Sequence, residues 1–249
     1  MPLTAAEHAT SRRLAVLIDG ENATSRIVDA LFAEIATLGE ATARRIYGDA
    51  ASPALKGWVE VLPKWGIQWQ QNFQNTKGKN SGDIALVIDA MDLMHSGRFD
   101  GFCLISSDSD FTRLASRIRE QGLPVYGFGE EKTPESFRQD CTRFIYIENL
   151  IPPAAEPDDK AAAAPSPKPK RNLNQARKLI AKAISDADSD GDGWVALGAI
   201  GNQLRNAYPD FDQRSYGFQK LKDLVSQFPA FEMKPGAGNV IEVRTRPEK

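Results

Sequence analysis

Two apolar runs, LAVLID at Leu14–Asp19 and GFCLIS at Gly101–Ser106, constrain the fold of this chain more than any other feature. A strand with one face in water alternates apolar and polar residues, whereas these runs are apolar on both faces up to their last residue. Such strands are typical of a parallel sheet that is covered by helices on both sides. The sequence therefore predicts an α/β domain.

The residues around the two runs repeat an alternation of strand and helix, which indicates βαβ units. The predicted strands are Leu14–Asp19, Ala41–Tyr47, Ile67–Asn72, Gly101–Ser106, Leu123–Phe128 and Phe144–Ile147. The predicted helices are Ala23–Leu38, Pro53–Trp65, Gly82–His95 and Phe111–Gln121. We expect a Rossmann-like, mostly parallel sheet. With strand order 3-2-1-4-5, the first and fourth strands are neighbours.

A Pro- and Ala-rich stretch, residues 151–171, has no apolar periodicity and predicts a spacer. It separates a domain at residues 12–150 from a smaller one at residues 172–246. The smaller domain has helical patterns at 174–184, 196–207 and 213–227, and then two short strands around PGAG. Three helices and a hairpin are the outline of a winged helix-turn-helix.

Composition bounds the class of protein. The net charge of −2 hides an asymmetry: residues 1–150 have 16 Lys and Arg against 20 Asp and Glu, whereas residues 165–249 have 14 against 10. A basic module beside an acidic one suits a nucleic-acid partner, although ordinary scatter of surface charge explains the counts equally well. No apolar run predicts a membrane span or a signal peptide. Cys103 and Cys141 lack CxxC spacing, so we expect buried thiols in a cytoplasmic protein.

Acidic residues lie where the predicted strands end. Asp19 closes the first strand in IDGEN, Asp108 and Asp110 follow the fourth in SSDSDF, and Asp83 opens a helix in NSGDIAL. Ligands of open parallel sheets bind beyond the carboxyl ends of strands, so we expect these acids to converge. Carboxylates that share a cleft repel, and Mg²⁺ or Mn²⁺ relieves that repulsion and can act on a phosphodiester.

Each acid also has a purely structural explanation. Asp19 in an Asp-Gly pair is compatible with a simple turn, Asp108 with a helix cap, and Asp83 with a favourable helix N-terminus. Two rival motifs fit less well. The DxDxT run at Asp108–Thr112 is the nucleophile motif of haloacid-dehalogenase-type phosphatases, but there it belongs on the first strand. The loop DADSDGD at 186–192 starts like an EF-hand, yet Leu197 stands where the bidentate Glu is needed.

Three ordered segments, LAVLIDGEN, KGKNSGDIALVIDAMDL and LISSDSDFTRLASRIREQG, resemble the NYN domain, a branch of the PIN-like nucleases, and most of all its bacterial LabA-like members. The resemblance covers about residues 12–150. It implies a Rossmann-like sheet, RNA cleavage or processing, and an acid cluster that binds Mg²⁺ or Mn²⁺. By position, the catalytic and metal-binding acids would be Asp19, Asp83, Asp108 and Asp110, with Asn22 as a supporting polar residue.

A second resemblance covers about residues 172–245. GWVALGAIGNQL and PDFDQRSYGFQKLKDLVSQFPAFEM are similar to the OST-type winged helix, or LOTUS domain, which implies RNA binding. Basic groups contact phosphate and an aromatic ring can stack on a base. The predicted RNA-contacting residues are Arg214, Tyr216, Gln219, Lys220 and Lys222 of the third helix, and Lys77 and Lys79 beside the acids. The alternatives are core packing for Tyr216 and a solvated surface for the cations.

Together these observations predict a Mg²⁺- or Mn²⁺-dependent ribonuclease that acts on single-stranded or structured RNA. A non-catalytic RNA-binding regulator is the alternative, and a small-molecule phosphatase that uses the DxDxT run is a third. Protein partners through the winged helix and homo-oligomers stay open, and no membrane association is expected.

Overall fold

The computed structural model describes residues 11–49, 51–71, 81–150, 171–188, 191, 193–236, 238 and 240–246. The chain divides into two compact units, Met1–Ile151 and Pro152–Lys249, and each is described by itself. Lys77, Lys79 and all of the predicted spacer except Arg171 lie outside the described residues.

The first unit is built on a six-stranded sheet whose order is β3-β2-β1-β4-β5-β6, with every neighbouring pair parallel. The predicted order is therefore confirmed, and the sixth strand extends it at one edge. The strands are β1 Arg13–Asp19, β2 Glu40–Gly48, β3 Gln68–Gln71, β4 Gly101–Ile105, β5 Val125–Gly129 and β6 Arg143–Tyr146.

Helices connect these strands. They are α1 Val28–Ala36, α2 Lys56–Val59, α3 Leu62–Trp65, α4 Ser81–His95, α5 Thr112–Glu120 and α6 Glu135–Gln139, with short 3-10 turns at Ser25–Ile27, Pro53–Leu55, Ser109–Phe111 and Ile147–Asn149. The prediction of one helix over Pro53–Trp65 is wrong. Pro63, the second residue of α3, has no N–H for the preceding turn, so the helix is interrupted between Val59 and Leu62.

Strand β1 shows why its sequence is apolar throughout. Ala15 and Leu17 pack into a core that includes α4 and α5, whereas Leu14, Val16 and Ile18 pack on the opposite face, in a core that includes α1. All five side chains are fully buried. The sheet is therefore the middle of three layers. Its carboxyl edge, where the main chain leaves the core, is where polar side chains can be presented.

The second unit is helical with a small sheet. Its helices are α7 Leu173–Ala187, α8 Leu197–Ala207 and α9 Leu221–Ser226, and its strands are β7 Val195–Ala196, β8 Phe231–Pro235 and β9 Ile241–Thr245 in the order β7-β9-β8. The third predicted helix, 213–227, is divided. A 3-10 turn at Gln213–Tyr216 ends at Gly217, whose φ of 87° is left-handed, and α9 starts only at Leu221.

Two further expectations concern the cysteines and membranes. Cys103 and Cys141 are free and buried, as expected, and burial raises the pKa of each thiol. Among the helices of the described residues, none has the length and apolar character needed to cross a bilayer.

Candidate active site

Asp19 lies at the carboxyl end of β1, between β2 and β4, where the strand order reverses. The chain turns sharply after it, because the Gly20 N–H donates to the Tyr47 carbonyl at 2.9 Å. A Cβ at Gly20 would come within 2.4 Å of Leu55 Cδ2 and 2.9 Å of the Tyr47 oxygen. Only glycine allows this close turn.

The Asp19 carboxylate is almost fully buried, with 3% of the residue exposed, and it is completely hydrogen-bonded. Its Oδ1 accepts from the backbone N–H groups of Glu21 and Asn22, both at 3.2 Å. Its Oδ2 accepts from Asn22 Nδ2 at 2.8 Å and from Ser106 Oγ at 2.7 Å. Four donors match the four acceptor positions of a carboxylate. Asn22, predicted as a supporting polar residue, therefore contacts Asp19 directly.

Ser106 is the residue that sequence reasoning missed. Its hydroxyl donates to Asp19 and also accepts from the backbone N–H of Asp108 at 3.0 Å. It therefore ties the end of β1 to the turn after β4. The signal was a polar residue directly at the end of an apolar strand, in the same SSDSDF run that contains Asp108.

Asp108 and Asp110 lie in the turn that leads from β4 into α5. Asp108 caps this turn, since its Oδ1 accepts from the Asp110 N–H at 2.9 Å. This is the capping contact that a purely structural role requires, so the turn geometry alone does not distinguish a cap from a ligand. Asp110 is exposed.

Asp83 lies in the first turn of α4. The neighbouring Gly82 places this turn beside the end of β2, where an added Cβ would lie 3.4 Å from Gly48 Cα. The pKa of Asp83 is raised to about 6. Burial is the largest cause, and the negative charges of Asp19, Asp108, Glu21 and Asp110 add to it. The four predicted acids are therefore close enough to interact electrostatically, and Glu21 joins them.

Helix α4 is held to β2 by a partly buried polar contact. Asp89 Oδ2 accepts from Tyr47 Oη at 2.8 Å and from Arg45 Nη1 at 2.7 Å. Tyr47 is in register with Asp19 on the neighbouring strand. This contact fixes the position of the helix that presents Asp83. It also pairs Asp89 with a cation on a side of the helix away from the acids.

The carboxylate oxygens at this edge are the type of ligand that a hard divalent cation prefers, and a bound cation would reduce their mutual repulsion. Within the described ranges, however, no three Asp, Glu, His or Cys side chains form a group able to hold a metal ion. Mg²⁺ commonly uses one or two carboxylates and several waters, so a closed protein shell is not required.

In the second unit, the expected RNA contacts of Tyr216 need correction. The residue is 1% exposed, and its ring packs 5.9 Å from that of Phe211 in the core. It cannot stack on a base without unfolding its surroundings. Arg214 is half-buried and pairs with Asp212 at 2.7 Å, so much of its charge is already neutralised.

The remaining predicted cations of this unit are on the surface. Lys220 and Lys222 are exposed, as is Gln219. A further cationic feature, which the sequence did not reveal, surrounds Trp194. Lys234 Nζ and Arg244 Cζ lie 4.1 and 4.5 Å from the centre of its ring, and both cations also pair with glutamates of the hairpin.

The fold and the acids define the first unit as a PIN-like α/β domain with an acidic carboxyl edge. A family model of the NYN domain matches residues 13–148, and one of the OST-HTH/LOTUS domain matches residues 168–243. The chain belongs to the NYN domain family. It therefore joins a domain of a nuclease family to a domain of an RNA-binding family.

Comparison with curated proteins finds no match. Among solved structures, the chain is similar to a protein of unknown function from Vibrio parahaemolyticus, with 20% identity and a TM-score of 0.48 over 59% of this chain and 98% of the other. It is also similar to an uncharacterized protein from Nitrosomonas europaea, with 33% identity and a TM-score of 0.30 over 38% of this chain and 93% of the other.

Proposed function

We propose that this chain is a ribonuclease that hydrolyses RNA phosphodiester bonds at the carboxyl edge of its NYN domain, with Mg²⁺ or Mn²⁺ as cofactor. The observation that carries this proposal is the position of Asp19 at the carboxyl end of β1, where the strand order reverses, together with the negative charges of Asp19, Asp108 and Asp110 that help to raise the pKa of Asp83. The three NYN motifs most resemble those of LabA-like members, so the proposal includes that branch, and the winged helix would supply additional RNA contacts.

The proposed role of each side chain follows from its contacts. Asp19 is held rigid by Ser106 and Asn22, so it would bind the cation in a fixed orientation. Asp108 and Asp110 would complete the cation site, and Asp83 would bind the cation or orient the attacking water. A divalent cation bound there would supply charge neutralisation for phosphate and acidify a water. Hydrolysis is expected to leave a 5′-phosphate end.

A second candidate, a non-catalytic RNA-binding regulator, is favoured by one observation. All four acceptor positions of Asp19 are used by donors of the protein itself, so a cation must displace or share at least one of them. In that case the acidic edge would have a structural role, and the winged helix would recognise the RNA.

RNA cleavage by the purified full-length chain separates the two candidates. We expect cleavage of labelled RNA with Mg²⁺ or Mn²⁺, none with a chelator, and loss by at least about 100-fold in an Asp19→Asn, Asp108→Asn double variant. Asp92→Asn, which changes an exposed acid on the same helix α4, is the matched control and should retain activity.

Two outcomes would contradict the ribonuclease. Cleavage that survives in the double variant would show that the activity does not come from these acids. RNA that binds tightly but is never cut, with either metal and across single-stranded and structured substrates, would favour the regulator.

A further inference from the structure

A cavity of about 670 Å³ lies at the opposite edge of the same sheet, beside the amino ends of β1 and β2. Four arginines line it, Arg13, Arg44, Arg45 and Arg98, and the described part of its lining includes no acidic residue. The first 150 residues have an excess of acids, so this local concentration of arginine residues is not a general property of the domain. We call it the arginine cleft.

The cleft exists because β3 is short. Its residues pair with β2 only from Arg45 to Gly48, so among the described strands none covers the outer edge of the first half of β2. An open edge could accept a strand from another protein. Here Arg44 already uses one acceptor of this edge, because its Nε donates to the Ala41 carbonyl at 3.1 Å, while its Nη1 donates to the Trp65 carbonyl at 2.6 Å.

The charges in the cleft differ in how far they are neutralised. Arg45 is paired with half-buried Asp89, and Arg13 with Asp100 in an exposed pair. Arg44 has carbonyl partners, and Arg98 is exposed and lies over the Phe99 ring, with its cation 6.0 Å from the ring centre. No ion pair of Arg98 is found within the part of the chain that the structure describes. An exposed pair is worth little, so Arg13 can also exchange partners.

We propose that the arginine cleft binds the phosphodiester backbone of RNA, as a second contact for the strand that lies at the acids; this rests on the proposed function. Guanidinium groups match phosphate in bidentate geometry. An acidic peptide is the other anionic occupant, but Arg44 already occupies the Ala41 carbonyl, so this edge offers a peptide fewer groups for strand pairing. Phe99, an apolar residue of the lining, is only 8% exposed, so it offers such a peptide little apolar contact.

Helix α4 relates the cleft to the acids. Asp83 is in its first turn, and Leu93, which lines the cleft, is ten residues later, which is about 15 Å along the helix axis. An RNA that occupies both places must extend over this distance. The cleft should therefore increase the affinity for long strands and leave very short ones unaffected.

Binding of labelled oligouridylate to the full-length chain in the presence of a chelator tests this without cleavage. We expect Arg98→Ala to weaken binding of a long strand several-fold and to reduce the slope of log affinity against log salt by about 0.7 for one lost phosphate contact. Arg98→Lys should retain much of the slope, because it keeps the charge. Arg117→Ala, an exposed arginine on α5, is the matched control and should change neither quantity.

Equal binding by the Arg98→Ala and Arg117→Ala variants would overturn the proposal. So would a labelled oligoglutamate that binds wild type and loses affinity in Arg98→Ala while RNA binding is unchanged, because the cleft would then hold an acidic peptide. Since cleavage is absent from this assay, failure here leaves the ribonuclease standing. A chain that cuts no RNA can still show the Arg98 effect.

Discussion

Ser106 Oγ lies 2.7 Å from Asp19 Oδ2, and this hydrogen bond joins the carboxyl ends of the two central strands. Because the same hydroxyl accepts from the Asp108 backbone, it holds two of the predicted catalytic acids in a fixed relation. A site that depends on carboxylates in a defined arrangement needs such support from residues that do not themselves react.

Ser106→Ala tests this support. The substitution leaves a buried carboxylate with one donor fewer, so we expect a loss of about 1.5–3 kcal/mol in the free energy of unfolding and a clear decrease in RNA cleavage. Urea unfolding and the cleavage assay measure the two effects. Ser109→Ala, on an exposed side chain of the same turn, should change neither by much. Full activity in Ser106→Ala would show that Asp19 does not need this bond.

The raised pKa of Asp83 predicts how the stability of the metal-free protein depends on pH. Its pKa is raised from 3.8 to about 6, so the native state binds more protons than the unfolded state between these values. Stability therefore falls as the pH rises from about 4 to about 6, and the penalty persists at neutral pH. Asp83→Asn removes it, and after allowance for solvent screening we expect a gain on the order of 1 kcal/mol at neutral pH.

Thermal unfolding with a chelator, at about pH 4 and about pH 7, measures this difference. The gain from Asp83→Asn should be large at neutral pH and nearly absent in acid. Asp92→Asn controls for a general change in net charge. A variant that is destabilised at neutral pH would contradict the electrostatic account of the cleft.

The contact between Tyr47 and Asp89 should matter for both stability and activity. Tyr47→Phe removes a partly buried hydrogen bond to a carboxylate, so we expect a loss of about 1.5–3 kcal/mol in the free energy of unfolding. Helix α4 would be less firmly placed, and cleavage should decrease as well. Tyr126→Phe, whose hydroxyl accepts from the exposed Arg12, is the control with the smaller expected loss. Equal losses in the two variants would contradict a special role for the α4 contact.

Much of this fold could be predicted because its signals are local. Apolar strands without a polar face indicate a parallel sheet, and acids directly after such strands must lie near the carboxyl edge of that sheet. The break before Pro63 and the turn at Gly217 are also local, but their effect depends on whether the surrounding helix is stabilised by packing. Propensity alone therefore predicted helices that were too long.

The arginine cleft and the burial of Tyr216 could not be predicted for a different reason. Arg13, Arg45 and Arg98 are far apart in sequence, and they line one cavity at the part of β2 that the short strand β3 leaves uncovered. Tyr216 lies in a polar stretch close to Arg214, which suggested a surface position, yet its ring is buried in the core of this unit. Such outcomes depend on tertiary contacts that no local pattern contains.

The placement of Tyr216 leads to a prediction that separates folding from RNA binding in the winged helix. Tyr216→Ala deletes a fully buried ring, so we expect a loss of about 3–5 kcal/mol and unfolding of this unit. A Lys220→Ala, Lys222→Ala double variant removes only exposed cations. It should keep its thermal transition and lose RNA affinity, with a salt dependence reduced by about 0.7 for each contact removed. Circular dichroism and fluorescence anisotropy measure the two quantities. A folded Tyr216→Ala protein with weakened RNA binding would show instead that the ring contacts RNA, and would reverse the assignment made from its burial.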